Sequence, residues 1–183
     1  MRHSTLLQRD CRQARRILGL WLWIAVFGVG VWADDLAGSA SALPAGLSET
    51  ERQTLQKETN PKDHLDACLK IGTSRLATAV EAVKQERYET AAQALRVYTG
   101  LLDYTHGYTR QTAKEKVRQH MLRKLETTLR QQLPVLEWMV NGMPECHEGC
   151  ARQALNRARS IRRESLNAYF GGEFLRAGDP PTE

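Results

Sequence analysis

Apolar residues recur every three or four positions between residues 65 and 83, and this spacing constrains the fold more than any other feature of the chain. The stripe extends over about five helical turns, which is typical of an amphipathic helix with one buried face. No stretch of the sequence alternates apolar and polar residues as a half-buried strand does. The pattern therefore predicts an all-α protein. The stripe consists of Leu65, Cys68, Leu69, Gly72, Leu76, Ala79, Val80 and Val83.

Capping signals predict where the first two helices begin. Ser48 and Glu51 form a capping box, in which each side chain can bond to the other residue's backbone N–H, so a short helix is expected over residues 48–59. Asn60-Pro61 then predicts the start of the striped helix, because asparagine caps well and proline suits the first helical position.

Two more helices are expected before the last one. A polar turn at residues 85–87 precedes a helix that should end at residues 105–107, since glycine commonly follows a helix C-terminus. A long helix is expected over residues 110–133. Pro134 should kink this helix or start a new turn, because proline removes one backbone hydrogen bond and clashes with the preceding turn.

The expected fold is an antiparallel bundle of about four long helices plus a short leading helix, spanning residues 48–172. A turn at residues 141–144 precedes the last helix, expected from about 145 to 170, and short turns between long helices favour antiparallel neighbours. Residues 34–47 are rich in Ala, Gly and Ser and are expected to be a flexible leader. Residues 173–183 are expected to be a disordered tail.

The first 33 residues have the three parts of a secretory signal peptide. Five arginines and one acid precede a 16-residue uncharged run, residues 17–32, and Val31-Trp32-Ala33 then offers a cleavage site. The chain is therefore expected to be exported to the periplasm or secreted. The alternative is an uncleaved helix that anchors the protein to a membrane, although a span needs about 20 apolar residues.

The positive charge of the chain belongs largely to this segment. The whole sequence has 26 basic and 21 acidic residues, a net charge of +5. Without residues 1–33 these numbers fall to 21 and 20, and the net charge falls to +1. A nucleic-acid partner is therefore not expected, because binding to phosphates depends on excess positive charge. A membrane is expected as partner only through an uncleaved signal segment.

Residues 76–102 resemble one tetratricopeptide-type helical hairpin. The resemblance rests on the Arg87-Tyr88-Glu89 turn, on the alanines Ala91 and Ala92 that follow it, and on Tyr98. An array of such units repeats at about 34 residues, and the sequence has no second copy at that period. The alternative is a generic helical hairpin.

A second resemblance covers about 45 residues and concerns exported bacterial all-helical domains of unknown function. It implies an exported helical protein and brings no activity with it. The matching residues are Asn60-Pro61-Lys62, Leu69-Lys70-Ile71, Arg75-Leu76 and Tyr98 through Asp103.

Three cysteines follow the signal segment and are candidates for a disulfide. Cys146 and Cys150 are four residues apart at the start of the last helix, and Cys68 lies on the apolar stripe. In an oxidising compartment neighbouring thiols are expected to pair, either Cys146 with Cys150 or Cys68 with one of these two, leaving one thiol over. Unlinked structural cysteines are the plainer alternative.

The same cysteines together with two histidines could instead hold a metal ion. Thiolate and imidazole ligands offered at positions i and i+4 by two helices suit tetrahedral zinc or Cu(I). The spacing differs from the C-x-x-C of strong zinc motifs. The candidate ligands are His64, Cys68, Cys146, His147 and Cys150.

Five arginines fall between residues 152 and 163 without an acid among them. They could form a patch for anionic lipid, polysaccharide or nucleic acid. The alternative is that they pair with the acidic early helices, or form a solvated face, because they are spread around the helix. They are Arg152, Arg157, Arg159, Arg162 and Arg163.

The sequence contains no G-x-S-x-G, H-E-x-x-H, phosphate-loop or dinucleotide-binding motif, so no enzymatic activity is inferred. The expected function is that of a binding or structural module that acts by contact with a protein partner. The expected contact surface is the hairpin of residues 62–104 together with the groove beside the last helix. The alternative function is a periplasmic metal-binding bundle.

Overall fold

A computed structural model describes residues 43–171 of the protein. This part of the chain contains five α-helices and no strand, which confirms the predicted all-α bundle. The predicted signal peptide, residues 34–42 of the leader and the predicted tail lie outside the described residues. The helices are α1 (Glu49–Lys57), α2 (Pro61–Lys84), α3 (Tyr88–Gln111), α4 (Glu115–Gly142) and α5 (Glu145–Phe170).

The predicted capping signals are confirmed. The Ser48 Oγ accepts a hydrogen bond from the Glu51 N–H at 3.3 Å, and the Glu51 carboxylate accepts one from the Ser48 N–H at 2.7 Å. The Asn60 Oδ1 accepts the N–H of Lys62 at 3.1 Å, and Pro61 is the first residue of α2. These bonds satisfy N–H groups that a helix start otherwise leaves unpaired.

The predicted end of the third helix is wrong, because α3 continues through Gly107 to Gln111. A glycine inside a helix costs about 1 kcal/mol relative to alanine. Packing beyond the glycine offsets this cost: Thr109 is fully buried, and the ring of Tyr108 lies 4.4 Å from that of His64. Tertiary contacts therefore extend the helix past its local stop signal.

Pro134 likewise lies inside a single helix, α4, which begins at Glu115 rather than at residue 110. Leu129 before the proline and Leu136 after it are both fully buried. A proline in a helix interior costs about 3 kcal/mol. Burial on both sides of Pro134 stabilises the continuous helix. The helix ends at Gly142, so the turn before α5 comprises residues 143–144 rather than the predicted 141–144.

The long helices form two antiparallel hairpins, α2–α3 and α4–α5, that pack side by side. The Lys124 Nζ lies 2.6 Å from Asp66, and the Gln132 Nε2 donates to the Thr73 Oγ1 at 3.1 Å. From the first contact to the second, the residue number rises on both helices, from 66 to 73 on α2 and from 124 to 132 on α4. The two helices therefore run parallel.

Helices α3 and α5 also run in the same direction. The ring of His147 stacks on Tyr88, with centroids 6.0 Å apart, and Arg157 forms an ion pair with Asp103. These two helices are therefore also parallel, and α3 lies between α2 and α5.

Part of the leader packs against the bundle, so the prediction of a flexible segment is wrong for its last residues. Leu47 is buried with Leu55 and Val97 in a small cluster beside the main core. Gly46 has φ +89, and a Cβ at this position would lie 2.6 Å from the Val97 side chain. Glycine is required there by both backbone conformation and space.

A hydrogen-bonded chain of three side chains crosses the main core. The Tyr98 hydroxyl donates to the Gln132 Oε1 at 2.8 Å, and the Gln132 amide donates to Thr73. Tyr98 is fully buried, and Gln132 nearly so. The chain joins α3, α4 and α2, and it satisfies polar groups that would be costly to bury alone.

We expect Tyr98→Phe to lower the free energy of unfolding by about 1–3 kcal/mol, because it leaves the Gln132 carbonyl buried without a donor. Adding Gln132→Leu removes that unpaired acceptor, so the double variant should be more stable than the sum of the two single losses predicts. Urea unfolding of the four proteins measures the coupling. Strictly additive losses would show that the bond contributes nothing of its own.

Candidate functional site

The predicted metal ligands fall into two groups at opposite ends of the bundle. The thiol of Cys68 lies against Thr105, whereas His147 stacks on Tyr88. Tyr88 and Thr105 are 17 residues apart on α3, which corresponds to about 25 Å along the helix axis. Cys146 and Cys150 lie on the first turns of α5 beside His147.

This separation contradicts the predicted disulfide to Cys68 and the predicted metal site. A disulfide needs Cα atoms within about 7 Å of each other. Cys68, Cys146 and Cys150 are all free thiols. Within residues 43–171, no three His, Cys, Asp or Glu side chains are placed to hold a metal ion. The sequence indicated which helix faces carry these residues but not their level along the bundle.

His64 and Cys68 have roles in packing. The His64 Nδ1–H donates to the Leu55 carbonyl at 3.1 Å, and its Nε2 accepts the Tyr104 hydroxyl at 3.0 Å, which joins α2 to α1 and α3. Burial raises the pKa of the Cys68 thiol to about 11. The thiol therefore stays protonated at neutral pH and is a poor ligand or nucleophile.

We expect the cysteines to react with iodoacetamide in the order of their exposure. In the native protein at pH 8, Cys146 should be alkylated first and Cys150 next, whereas Cys68 should react only after unfolding in guanidinium. Peptide mass spectrometry of timed samples distinguishes the sites. Rapid native alkylation of Cys68, or a peptide that links two of these cysteines, would contradict the structure.

Four of the five arginines of the predicted basic patch form ion pairs, and an anion-binding surface there stays a prediction. Each ion pair joins one of the α5 arginines to an acid of α3, α4 or α5 rather than to the acidic early helices. Among the described residues only Arg163 of the five has no acidic partner. The pairs are Arg152–Glu148, Arg157–Asp103, Arg157–Glu164, Arg159–Glu137 and Arg162–Glu126.

His106 is a buried titratable group on α3. Its Nε2 lies 3.7 Å from the Glu164 carboxylate across the α3–α5 interface. Burial lowers the pKa of His106, and the nearby guanidinium groups of Arg110 and Arg157 act in the same direction, while Glu164 and Asp103 oppose it. The imidazole is therefore neutral at pH 7.

The lowered pKa predicts a loss of stability as the pH falls. The unfolded chain takes up a proton at His106 near pH 6.5, whereas the folded protein takes it up only at a lower pH. The contribution of His106 to the free energy of unfolding is therefore present above about pH 6.5 and is lost as the pH falls below that value. His106→Gln should flatten this part of a plot of melting temperature against pH between 7.5 and 5. An unchanged slope would assign the effect to other groups.

An open groove between α4 and the end of α5 has the composition of a binding site. Its volume is about 440 Å³, within the range of pockets that hold small ligands or single peptide side chains. Four of the nine lining residues are apolar or aromatic, and five are polar or charged. The lining comprises Leu122, Arg123, Glu126, Thr127, Arg130, Ser165, Leu166, Tyr169 and Phe170.

Two arginines of this groove carry uncompensated charge. Arg123 and Arg130 are seven residues apart on α4, so they lie on the same face about 10 Å apart along the axis. The acid between them, Glu126, is already paired with Arg162 at 3.0 Å. Neither guanidinium has an acidic partner within residues 43–171. The groove therefore favours a negatively charged occupant.

The groove also contains a buried hydroxyl without a hydrogen bond. Ser165 is fully buried, and its Oγ is the one buried side-chain N or O atom in the described part of the chain that lacks a partner. Helical threonines such as Thr73 and Thr99 donate instead to the carbonyl four residues before them. The hydroxyl lies beneath the surface of the groove and is not itself exposed to an occupant.

A half-buried tyrosine, Tyr169, and an exposed phenylalanine, Phe170, form one wall of the groove. Phe170 is 55% exposed, and its ring meets the edge of Tyr169 at a centroid distance of 5.0 Å. Aromatic and arginine side chains together are the groups that most often dominate binding energy at protein interfaces. The seven-residue spacing of the two arginines was visible in the sequence, but their lack of partners was not.

Comparisons with known proteins identify no relative: no family model, no curated protein and no solved structure matches the chain. The resemblances to a tetratricopeptide-type hairpin and to exported bacterial helical domains stay predictions. None of the helices described between residues 43 and 171 is long and apolar enough to cross a membrane.

Proposed function

We propose that this protein is an exported binding module that holds an acidic, partly apolar segment of a partner protein in the groove between α4 and α5. The observation that carries the proposal is a pair of arginines without an acidic partner among residues 43–171, beside the apolar side chains that form the floor of the groove. A guanidinium binds a carboxylate with two parallel charge-assisted hydrogen bonds, which selects acidic residues. Leu166 and Phe170 supply apolar contact area beside them.

The sequence of the first 33 residues supports export. A basic segment, an uncharged apolar run and a Val-x-Ala motif are the parts of a secretory signal. With this segment removed the net charge is +1, so the affinity for an acidic segment depends on local charge in the groove rather than on the whole molecule.

The groove is a better contact surface than the α2–α3 hairpin. Adjacent residues of α3, such as Ala91 and Ala92 or Ala94 and Leu95, are all buried, because this helix packs against its neighbours on several sides. A helix that forms the core cannot also present a free face to a partner. The α4–α5 groove, in contrast, is open and lies at the edge of the fold.

Site-specific photo-cross-linking tests the proposal. The photoreactive residue p-benzoylphenylalanine replaces Phe170 in one full-length variant and Trp138 in a second, because both side chains are large, apolar and exposed, at 55% and 45%. We expect a partner adduct from position 170 and not from position 138. Mass spectrometry of the cross-linked peptide should identify a segment with at least two acids near an apolar residue.

Charge reversal provides the matched control. Arg123→Glu with Arg130→Glu should reduce the adduct more than tenfold, since each charge-assisted bond contributes about 1.5–3 kcal/mol. Arg52→Glu with Lys70→Glu changes the net charge equally at exposed positions on α1 and α2 and should leave the adduct unchanged. Equal adducts from positions 138 and 170, or an equal effect of both double variants, would refute the proposal.

A further inference from the structure

Helix α5 ends at the edge of the groove. Tyr169 and Phe170 line it, and Gly171 follows them with φ +71, a left-handed conformation. The Gly171 N–H bonds to the Asn167 carbonyl, which closes the last turn of the helix. A left-handed residue at this position turns the chain away from the helix axis and back toward the preceding turn.

The next twelve residues have a composition that complements the groove. The segment 172–183 reads GEFLRAGDPPTE, with three acids and one base. Its first acid, Glu173, directly precedes the apolar pair Phe174-Leu175. This combination of carboxylate and apolar side chains is what Arg123, Arg130 and the apolar floor would bind.

We propose that residues 172–183 occupy the α4–α5 groove of their own chain and that a partner segment must displace them. The inference rests on the proposed function, because it assigns to the same groove an internal ligand of the same chemistry. The acids of the segment pair with the guanidinium groups of Arg123 and Arg130, and Phe174 or Leu175 covers the apolar floor.

Distance and direction both allow this occupancy. Higher-numbered residues of α4 pair with lower-numbered residues of α5, as in Glu126–Arg162 and Glu137–Arg159, so Arg123 lies closer than Arg130 to the end of α5. A segment that turns back at Gly171 meets Arg123 first and Arg130 second. Three extended residues span about 10 Å, so the segment easily covers the distance between the two arginines.

Tethering makes this segment the favoured first occupant. A ligand joined to its site by a short linker has an effective concentration of about 1 mM. A segment whose intrinsic dissociation constant is 1 mM would therefore fill about half of the grooves. A partner must bind more tightly than this or be present at high local concentration, so the segment sets a threshold for recognition.

Intramolecular cross-linking tests the inference in the full-length protein. Phe174 is replaced by p-benzoylphenylalanine, and the purified monomer is irradiated at micromolar concentration. We expect an adduct of monomer mass whose cross-linked peptide lies within residues 122–130 of α4. Arg123→Glu with Arg130→Glu should reduce its yield about tenfold or more, and Arg52→Glu with Lys70→Glu should leave it unchanged. Circular dichroism confirms that each variant remains helical.

Three other results would overturn the inference. An adduct of dimer mass would show that the segment binds a second copy. An adduct on another surface would place the segment elsewhere, and no adduct would show that the groove is not filled from within.

A variant that ends at Gly171 separates failure of this inference from failure of the proposed function. We expect it to increase partner capture from position 170 several-fold. Unchanged capture from position 170, with no intramolecular adduct, would retain the proposed function and reject the internal ligand.

Discussion

The burial of α3 is the constraint on which the rest of the structure depends. This helix packs against α2 and α5 along most of its length and also contacts α4, and the end of the leader covers a further part of it at Val97. Alanines at 91, 92 and 94 allow the close approach that so many neighbours require. The remaining helices are arranged around α3, and this leaves the outer seam between α4 and α5 open. The position of the groove is thus a consequence of the packing of the core.

The fold could be predicted from the sequence wherever a local signal and the tertiary packing agree. The capping box at Ser48 and the Asn60-Pro61 start are satisfied within a few residues of the chain, so the sequence alone determines them. The helix end predicted at Gly107 was wrong, and no new helix starts at Pro134, because local cost and distant packing oppose each other at both positions. A cost of one to three kcal/mol is smaller than the gain from continuing a helix whose next turns are buried.

The candidate site could be predicted only in part, for a geometric reason. Periodicity places a residue on a face of a helix, but it does not determine which level of a neighbouring helix that residue meets. Cys68 and Cys150 were assigned to facing helices, yet the parallel alignment of α3 and α5 separates them by most of the length of the bundle. For the same reason the α5 arginines were visible as a cluster, while the neutralising acids at Glu126 and Glu137 were not.

The unpaired groups of the groove are informative because the rest of the described chain is so well satisfied. Elsewhere a buried polar side chain such as Gln132 finds both an acceptor and a donor. A buried hydroxyl without a partner costs about 1–3 kcal/mol, and Ser165 is in that state within the described residues. An occupant with acidic and apolar side chains compensates Arg123 and Arg130 and covers the exposed apolar side chains of the groove. Occupancy is therefore coupled to the stability of the α4–α5 hairpin, and whatever fills the groove also strengthens the packing of the two helices that form it.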